Sequence, residues 1–181
     1  ALMTARLAGY LSASAPDQNI ALHRSDDGSY RMNPPDEVIV KINELLLSEM
    51  ETEHYLTLLL AQIDLNTGKA IISQAGHPHP VVQRKDGRIE HCGTGGYPVG
   101  LLENATYEQF TVQLHPGDRL LILSDGVTEC PDSDGNMLVE IGLDDMLYDL
   151  HDVEGPRMFD VMLEKLADFS RSESFPDDVS G

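Results

Sequence analysis

Two acidic segments carry the residue types that could do metal chemistry in this chain. Asp125-Gly126 follows an apolar run at residues 120–123, and Asp177-Asp178 lies near the end of the sequence. A carboxylate at the end of a buried strand is held rigidly, and a following glycine lets the backbone approach a ligand closely. Hard divalent cations need oxygen ligands that are placed in this way. A simple turn at Asp125 would also explain the dipeptide, so its chemical role stays open at this point.

A histidine-bearing segment at residues 75–80 is the third candidate. It places Gly76 and His77 next to Pro78, with His79 two positions further on. The histidine pair suggests zinc binding or acid–base chemistry, but no third ligand follows nearby. We therefore favour a structural turn for these histidines over a metal site.

Other chemistries lack their sequence signatures. No Gly-x-Ser-x-Gly motif of a serine hydrolase occurs, and the glycine-rich residues 93–96 are not followed by the Lys-Ser/Thr of a phosphate-binding loop. The polar loop at residues 131–136 is similar to a calcium loop, but the bidentate acid that such a loop requires is not properly placed. These observations leave the acidic segments as the main candidates.

Several carboxylates that converge without cations would repel each other and raise each other's pKa. With Mg²⁺ or Mn²⁺ bound, the same carboxylates form a stable oxygen cage. A site with two such ions can activate a water and neutralise a phosphoryl group. This chemistry would apply if the fold brings Asp177 and Asp178 next to Asp125.

The composition limits the partners that the chain could bind. Its 181 residues include 31 acidic and 12 basic side chains, for a net charge of −19. This charge argues against nucleic acid and against anionic membrane surfaces as partners. No apolar run approaches the length of about 18 residues that a membrane span needs. Cys92 and Cys130 lack zinc-site spacing, and we expect both to be reduced in a cytoplasmic protein.

The hydrophobic pattern predicts an α+β architecture, because strands and helices occur in separate runs. Helices are expected at residues 1–11, over about 14 residues from Pro34-Pro35-Asp36, at residues 142–150 and from residue 156 onwards. Two hairpins are expected, at residues 55–75 and 81–91, and a half-exposed strand at residues 106–114. Residues 119–123 are typical of a strand buried on both faces. Residues 12–33 read as a long loop.

Taken together, these segments resemble the SpoIIE-type branch of the bacterial metal-dependent PPM (type 2C) serine/threonine phosphatases. The likeness covers nearly the whole chain, and its motifs follow the family order. They are Pro34-Pro35-Asp36-Glu37-Val38, Tyr55-Leu56-Thr57-Leu58, Ala75-Gly76-His77-Pro78, Gly96-Tyr97-Pro98-Val99-Gly100-Leu101, Pro116-Gly117-Asp118, Leu123-Ser124-Asp125-Gly126-Val127-Thr128-Glu129 and Asp177-Asp178-Val179-Ser180.

The resemblance implies an antiparallel β-sandwich flanked by helices, with a site for two Mn²⁺ or Mg²⁺ ions at one edge. Asp125 corresponds to the metal ligand of the family's Asp-Gly motif. Asp177 corresponds to the ligand near the C-terminus, with Asp178 as a second candidate. Gly126 would let the backbone pass close to the ions, and Gly76 and His77 would belong to a loop at the site.

Two parts of the family pattern are not found in the sequence. They are the Gly-Asp-x-x-Gly-His-Gly segment that supplies the bridging aspartate, and the last strand. We therefore expect residues 1–181 to be a single phosphatase domain, part of a longer regulatory protein, that binds metal poorly in this form and has little activity on its own.

The resemblance implies hydrolysis of phosphoserine or phosphothreonine in a regulatory protein such as an anti-sigma-factor antagonist. An upstream receiver or sensor domain is the expected partner within the protein, and a homodimer is left open. The alternative is a degenerate phosphatase fold that serves as a protein-binding adaptor in sigma-factor or stress regulation. The retained acids at positions 125, 177 and 178 favour the enzyme, because an adaptor does not need them.

Overall fold

The computed structural model describes residues 7–49, 55–172, 175 and 177–181. Most of the helix expected at residues 1–11 lies outside the described residues, and residues 7–10 are helical. The chain divides into two compact units. The first unit comprises Ala1–His77 and Gly93–Val112, and the second comprises Pro78–Cys92 and Gln113–Gly181. Within the described residues, no helix is both long enough and apolar enough to span a membrane.

The first unit begins with a hairpin where the sequence predicted a loop. After a short 3₁₀ helix at Pro16–Gln18, strand β1 (Leu22–Arg24) pairs antiparallel with β2 (Tyr30–Met32). Their turn contains Gly28 with a φ of 83°, and its amide donates to the carbonyl of Ser25. The loop prediction for residues 12–33 is therefore wrong. Both strands are mostly exposed, so their sequences carry no apolar run or alternation by which a strand is recognised.

The first helix confirms the prediction from the Pro-Pro-Asp motif. Helix α1 (Pro35–Glu49) has Asp36 and Glu37 in its first turn, where acidic side chains meet free backbone N–H groups. It buries one face, and it contacts strands β3 (Leu58–Asp64) and β4 (Lys69–Ala75). The buried core of this unit consists of Val38, Ile39, Ile42, Leu46, Ala75, Val99 and Tyr107.

The sheet of the first unit has the strand order β3-β4-β7, where β7 is Gln109–Gln113. Strands β3 and β4 form the predicted antiparallel hairpin, with Leu58 opposite Ala75 and Asp64 opposite Lys69. Strand β7 is shorter than the strand predicted at residues 106–114. The sequence therefore located each of these strands, with shifted ends.

The second unit contains the sheet β6-β5-β8, in which β5 is Val81–Gln83, β6 is Ile89–His91 and β8 is Arg119–Leu121. Both pairings are antiparallel, and Val81 lies opposite His91 and Leu121. The hairpin predicted at residues 81–91 is confirmed. Among the described residues, strand β8 lies at the edge of its sheet and pairs with β5 alone. Its apolar run alternates in burial, so the prediction of a strand buried on both faces is wrong. Leu121 and Leu123 are buried, whereas Leu120 and Ile122 are only half-buried.

The described residues of the second unit also form three helices. They are α2 (Asp125–Thr128), α3 (Val139–Asp149) and α4 (Arg157–Ser170). Helix α4 buries residues at helical intervals, as predicted from its apolar stripe. The buried core of the unit includes Val81, Leu121, Leu123, Val127, Leu143, Leu147, Met158, Met162 and Leu166. The α+β class with antiparallel sheets, predicted from the sequence, is therefore the class observed.

Candidate metal centre

Asp125 lies where the edge strand of the second unit turns into a helix. The chain leaves β8, continues through the buried Leu123 and begins the single-turn helix α2 at Asp125. Val127, two residues later, is also fully buried. The carboxylate of Asp125 is exposed, yet the backbone on both sides of it is fixed by apolar packing. This is the rigid placement that a metal-binding carboxylate requires.

The C-terminal segment is hydrogen-bonded to this turn through Ser124. The Ser124 hydroxyl donates to the carbonyl oxygen of Asp178 at 2.8 Å. The same Oγ accepts a hydrogen bond from the Ser180 amide at 2.9 Å. The backbone amide of Ser124 donates to the carbonyl oxygen of Ser180, also at 2.9 Å. The structure therefore brings the segment of Asp177 and Asp178 beside the turn of Asp125, which the metal-site hypothesis requires.

Gly126 provides the space for this contact. A Cβ atom at position 126 would lie 2.6 Å from the carbonyl oxygen of Asp178 and 3.1 Å from its carbonyl carbon. A Cβ contact as short as 2.6 Å is essentially never seen in folded proteins, so a side chain at this position would displace the C-terminal segment. Gly126 lies within helix α2, so the requirement comes from close approach and not from an unusual backbone angle.

The carboxylates of Asp177 and Asp178 are exposed, like that of Asp125. One oxygen of Asp177, Oδ1, accepts a hydrogen bond from the Asp178 amide at 2.7 Å. This bond fixes the Asp177 side chain against its own backbone and leaves its second oxygen for another ligand. All these groups are hard oxygen donors, which suit Mg²⁺ or Mn²⁺ better than softer metals.

The donor set is compatible with a divalent ion but is not a preassembled cage. Within residues 7–49, 55–172, 175 and 177–181, no group of three or more His, Cys, Asp or Glu side chains is arranged to hold a metal ion. Mg²⁺ commonly binds through one or two carboxylates and keeps several waters. The acidic pair and Asp125 therefore fit an ion of this type chemically, and they would supply part of its coordination.

Gly76 and His77 belong to the first unit, and each has a clear structural role there. Gly76 has a φ of 69°, and a Cβ at this position would lie 2.6 Å from Cγ of Pro98. Its amide donates to the carbonyl of Gly96 at 2.9 Å. The carbonyl of His77 accepts a hydrogen bond from Nε2 of Gln74 at 2.7 Å. The bond from Gly76 to Gly96 joins two of the sequence motifs, and the bond from Gln74 to His77 closes the turn itself.

His79, in the second unit, donates a hydrogen bond from Nδ1 to the carbonyl oxygen of Cys92 at 3.2 Å. This agrees with the structural role that we favoured for the histidine pair. Cys92 and Cys130 are both free thiols, as expected. Burial raises the pKa of both cysteines above the usual value for a thiol. Neither is therefore a reactive thiolate near neutral pH.

A network of charged side chains lies at the C-terminal end of strand β5, where Arg84 follows Gln83. Arg84 donates to Asp118 at 2.8 Å and forms a double hydrogen bond with the carboxylate of Glu90. The carboxylate of Asp118 also accepts hydrogen bonds from the amides of His115 and Lys85. The sequence indicated only a turn at Pro116-Gly117-Asp118. The structure shows that the acid of this motif fixes two turns together.

An α+β unit whose acidic strand end is hydrogen-bonded to a C-terminal Asp-Asp segment has the arrangement predicted for a PPM-type phosphatase domain. The chain matches the family model described as Stage II sporulation protein E (SpoIIE) over residues 1–180. It therefore belongs to the SpoIIE family. This confirms the predicted resemblance.

Individual relatives agree with the family match. The chain is 26% identical over 102 residues to the phosphoserine phosphatase RsbU of Bacillus subtilis, and the match covers 56% of this chain and 30% of the relative. The SiaA-PP2C domain of Pseudomonas aeruginosa superposes with a TM-score of 0.78 at 14% identity, covering 98% of this chain and 66% of that domain. The phosphatase domain of SpoIIE from Bacillus subtilis, presoaked with Mn, gives a TM-score of 0.61 at 21% identity, covering 98% and 68%. These structural matches confirm the fold.

Proposed function

We propose that this chain is the catalytic domain of a metal-dependent phosphatase that hydrolyses phosphoserine or phosphothreonine in a regulatory protein. The observation that carries the proposal is the hydrogen-bonded junction between Ser124 and residues 178–180, which brings the predicted ligand segments side by side. Membership of the SpoIIE family supports the same activity. The matched part spans about 30% of the length of RsbU, a phosphoserine phosphatase, so activity and substrate are proposed for this chain and not transferred.

Asp125, Asp177 and Asp178 would hold Mn²⁺ or Mg²⁺ through their exposed carboxylates, and Gly126 would keep the two segments close. Bound ions of this type supply an activated water and neutralise the charge of a phosphoryl group. Their positive charge would also reduce the electrostatic repulsion between this acidic chain and a phosphorylated substrate. A chain with a net charge of −19 would otherwise repel a phosphorylated substrate.

The proposed substrate class is a small phosphorylated anti-sigma-factor antagonist. Support comes from the relatives, since RsbU and RsbP of Bacillus subtilis are both named as phosphoserine phosphatases. A solved protein that joins RsbU and RsbW domains in one chain, from Mycobacterium tuberculosis, also superposes with a TM-score of 0.67 at 18% identity. We propose that residues 1–181 act as one output domain of a signalling protein, under the control of a receiver or sensor domain.

The test is Mn²⁺-dependent release of phosphate from a phosphoserine protein by the full-length protein, with the 181-residue chain measured beside it. We expect activity with Mn²⁺ that EDTA removes and added Mn²⁺ restores. Isothermal calorimetry should detect Mn²⁺ binding by the same preparation. A folded protein that binds no Mn²⁺ and releases no phosphate from several phosphoproteins would overturn the proposal in favour of the adaptor function.

A further inference from the structure

Ser124 makes an unusual use of its side chain. It occupies the N-cap position of helix α2, where a serine normally accepts a hydrogen bond from the first turn of the helix. No such cap bond is formed here. The hydroxyl instead donates to the carbonyl of Asp178 and accepts from the amide of Ser180. A hydroxyl has a single proton to donate, and that proton is committed to the C-terminal segment.

The bonds of Ser124 set the alignment of the C-terminal segment along the turn. Val179 also packs against the apolar core of the second unit, and that packing is non-directional. Hydrogen bonds at 2.8 and 2.9 Å, by contrast, fix which backbone groups of residues 178 and 180 face Ser124. Apolar packing therefore keeps the segment near the core, whereas three hydrogen bonds of Ser124 fix its register. The hydroxyl makes two of them, and the backbone amide of Ser124 makes the third, to the carbonyl of Ser180.

We infer that Ser124 is a positioning residue for the metal ligands, holding Asp177 and Asp178 in register with Asp125. This inference rests on the proposed function. Ser124 itself binds no ion in this account and acts only through the backbone of the acidic pair. Outer groups that orient metal ligands in this way typically contribute a factor of about 10 to 100 in metal affinity.

The experiment compares four variants of the full-length protein with the wild type. Ser124→Ala removes the hydroxyl, whereas Ser124→Thr retains it. Gly126→Ala disturbs the same junction from its other side, through the 2.6 Å contact with the Asp178 carbonyl. Ser48→Ala is the matched control, because that hydroxyl donates only to the carbonyl of Leu45 within helix α1, at 3.1 Å. Thermal unfolding identifies the folded variants.

Two measurements are made on each variant. The first is amide hydrogen exchange at Ser180 in metal-free protein, which reports on the hydrogen bonds of Ser124 whether or not the protein is an enzyme. The second is Mn²⁺ affinity by calorimetry, together with phosphate release as a function of Mn²⁺ concentration. We expect Ser124→Ala to accelerate exchange at Ser180 and to weaken Mn²⁺ binding roughly 10- to 100-fold. Saturating Mn²⁺ should restore most of its turnover.

Ser124→Thr and Ser48→Ala should keep the Mn²⁺ affinity of the wild type, whereas Gly126→Ala should lose affinity as Ser124→Ala does. Unchanged Mn²⁺ affinity in Ser124→Ala, beside an active wild type, would overturn the positioning role and leave the proposed function intact. Equal losses in Ser124→Ala and Ser124→Thr would also overturn it, because the hydroxyl would then not be the cause. A wild type without Mn²⁺ affinity would overturn the proposed function, and the positioning role with it.

Discussion

Arg84 and Asp118 form a largely buried ion pair, with Nη1 of the arginine 2.8 Å from Oδ2 of the aspartate. The aspartate side chain is only 4% exposed and the arginine side chain 17%. The carboxylate also accepts from the amides of His115 and Lys85, so it replaces most of the hydrogen bonds that water would provide. Asp118 thereby joins the turn before β8 to the turn between β5 and β6.

We therefore expect Asp118→Ala to destabilise the protein strongly. Removing one partner of a buried ion pair typically costs about 3–5 kcal/mol, because the remaining charge and donors are left uncompensated. Arg84 keeps Glu90 as a partner, so a loss of about 3 kcal/mol in the free energy of unfolding is expected. Urea unfolding measures it. The control is Asp86→Ala, whose exposed pair with Arg88 should contribute less than about 1 kcal/mol.

We expect the Asp118 carboxylate to make the free energy of unfolding fall at acidic pH. Burial alone would raise the pKa of Asp118, but hydrogen bonds from His115, Arg84 and Lys85 outweigh it and hold the pKa below its ordinary value of 3.8. Because the folded-state pKa lies below the unfolded one, this stabilisation is complete above about pH 4. It is lost as the pH falls through the folded-state pKa.

Unfolding free energies measured between about pH 5 and pH 2 check this prediction. The unfolding free energy of the wild type should fall steeply below about pH 4. In Asp118→Asn, whose side chain at position 118 cannot titrate, the unfolding free energy should fall less steeply with pH. Equal slopes of unfolding free energy against pH in the two proteins would mean that other carboxylates dominate the acid dependence. Glu90 contributes in the same direction, since its hydrogen bond with Arg84 lowers the pKa of that carboxyl as well.

Gly76→Ala should destabilise the first unit by about 1–3 kcal/mol, through overpacking and a strained backbone angle. The new Cβ would lie 2.6 Å from Cγ of Pro98, at a backbone φ of 69°. Gly95→Ala separates the two effects, because Gly95 has a φ of 83° but no atom within 4 Å of its Cβ position. Thermal unfolding of both variants should show the larger loss for Gly76→Ala. Equal losses would assign the whole effect to the backbone angle.

Asp125→Asn should abolish Mn²⁺-dependent phosphate release and leave the fold intact. The Asp125 side chain is exposed, so the free energy of unfolding should change by no more than about 0.5 kcal/mol. Losing the charge removes a hard oxygen ligand, and Mn²⁺ binding should weaken in calorimetry. Asp134→Asn, an equally exposed acid in the loop after α2, is the control and should keep full activity. Full Mn²⁺-dependent activity in Asp125→Asn would show that the ligand assignment is wrong.

The helices and the hairpins β3–β4 and β5–β6 were predictable because their signals are local. Helix α1 follows a proline pair and carries an apolar stripe, and the turn between β5 and β6 contains Gly87 at a φ of 87°. The hairpin of β1 and β2 was not predicted because its strands are mostly exposed and carry no apolar run. The apolar run at residues 120–123 predicts burial on both faces, but one face is only half-buried, since an apolar run alone does not reveal what covers each face.

For the candidate site, resemblance to a family singled out Asp125, Asp177 and Asp178, and this ligand set stays a prediction. In the sequence, Ser124 stands out only as a member of the motif at residues 123–129. No local signal marks its role, because its hydrogen-bond partner Asp178 lies 54 positions away. The same holds for Asp118, which looked like an ordinary turn residue until the structure placed Arg84 against it.

The sequence by itself determined the class of the fold and the order of most of its elements, and its resemblance to a family predicts which acidic residues bind metal. Fold class and element order depend on composition and on periodicity within a dozen residues, which are present in the chain before it folds. Only the tertiary structure decided that Ser124 binds the backbone of residues 178 and 180 and that Gly126 faces the carbonyl of Asp178. Such contacts join distant parts of the chain, and they exist only after apolar burial has brought those parts together.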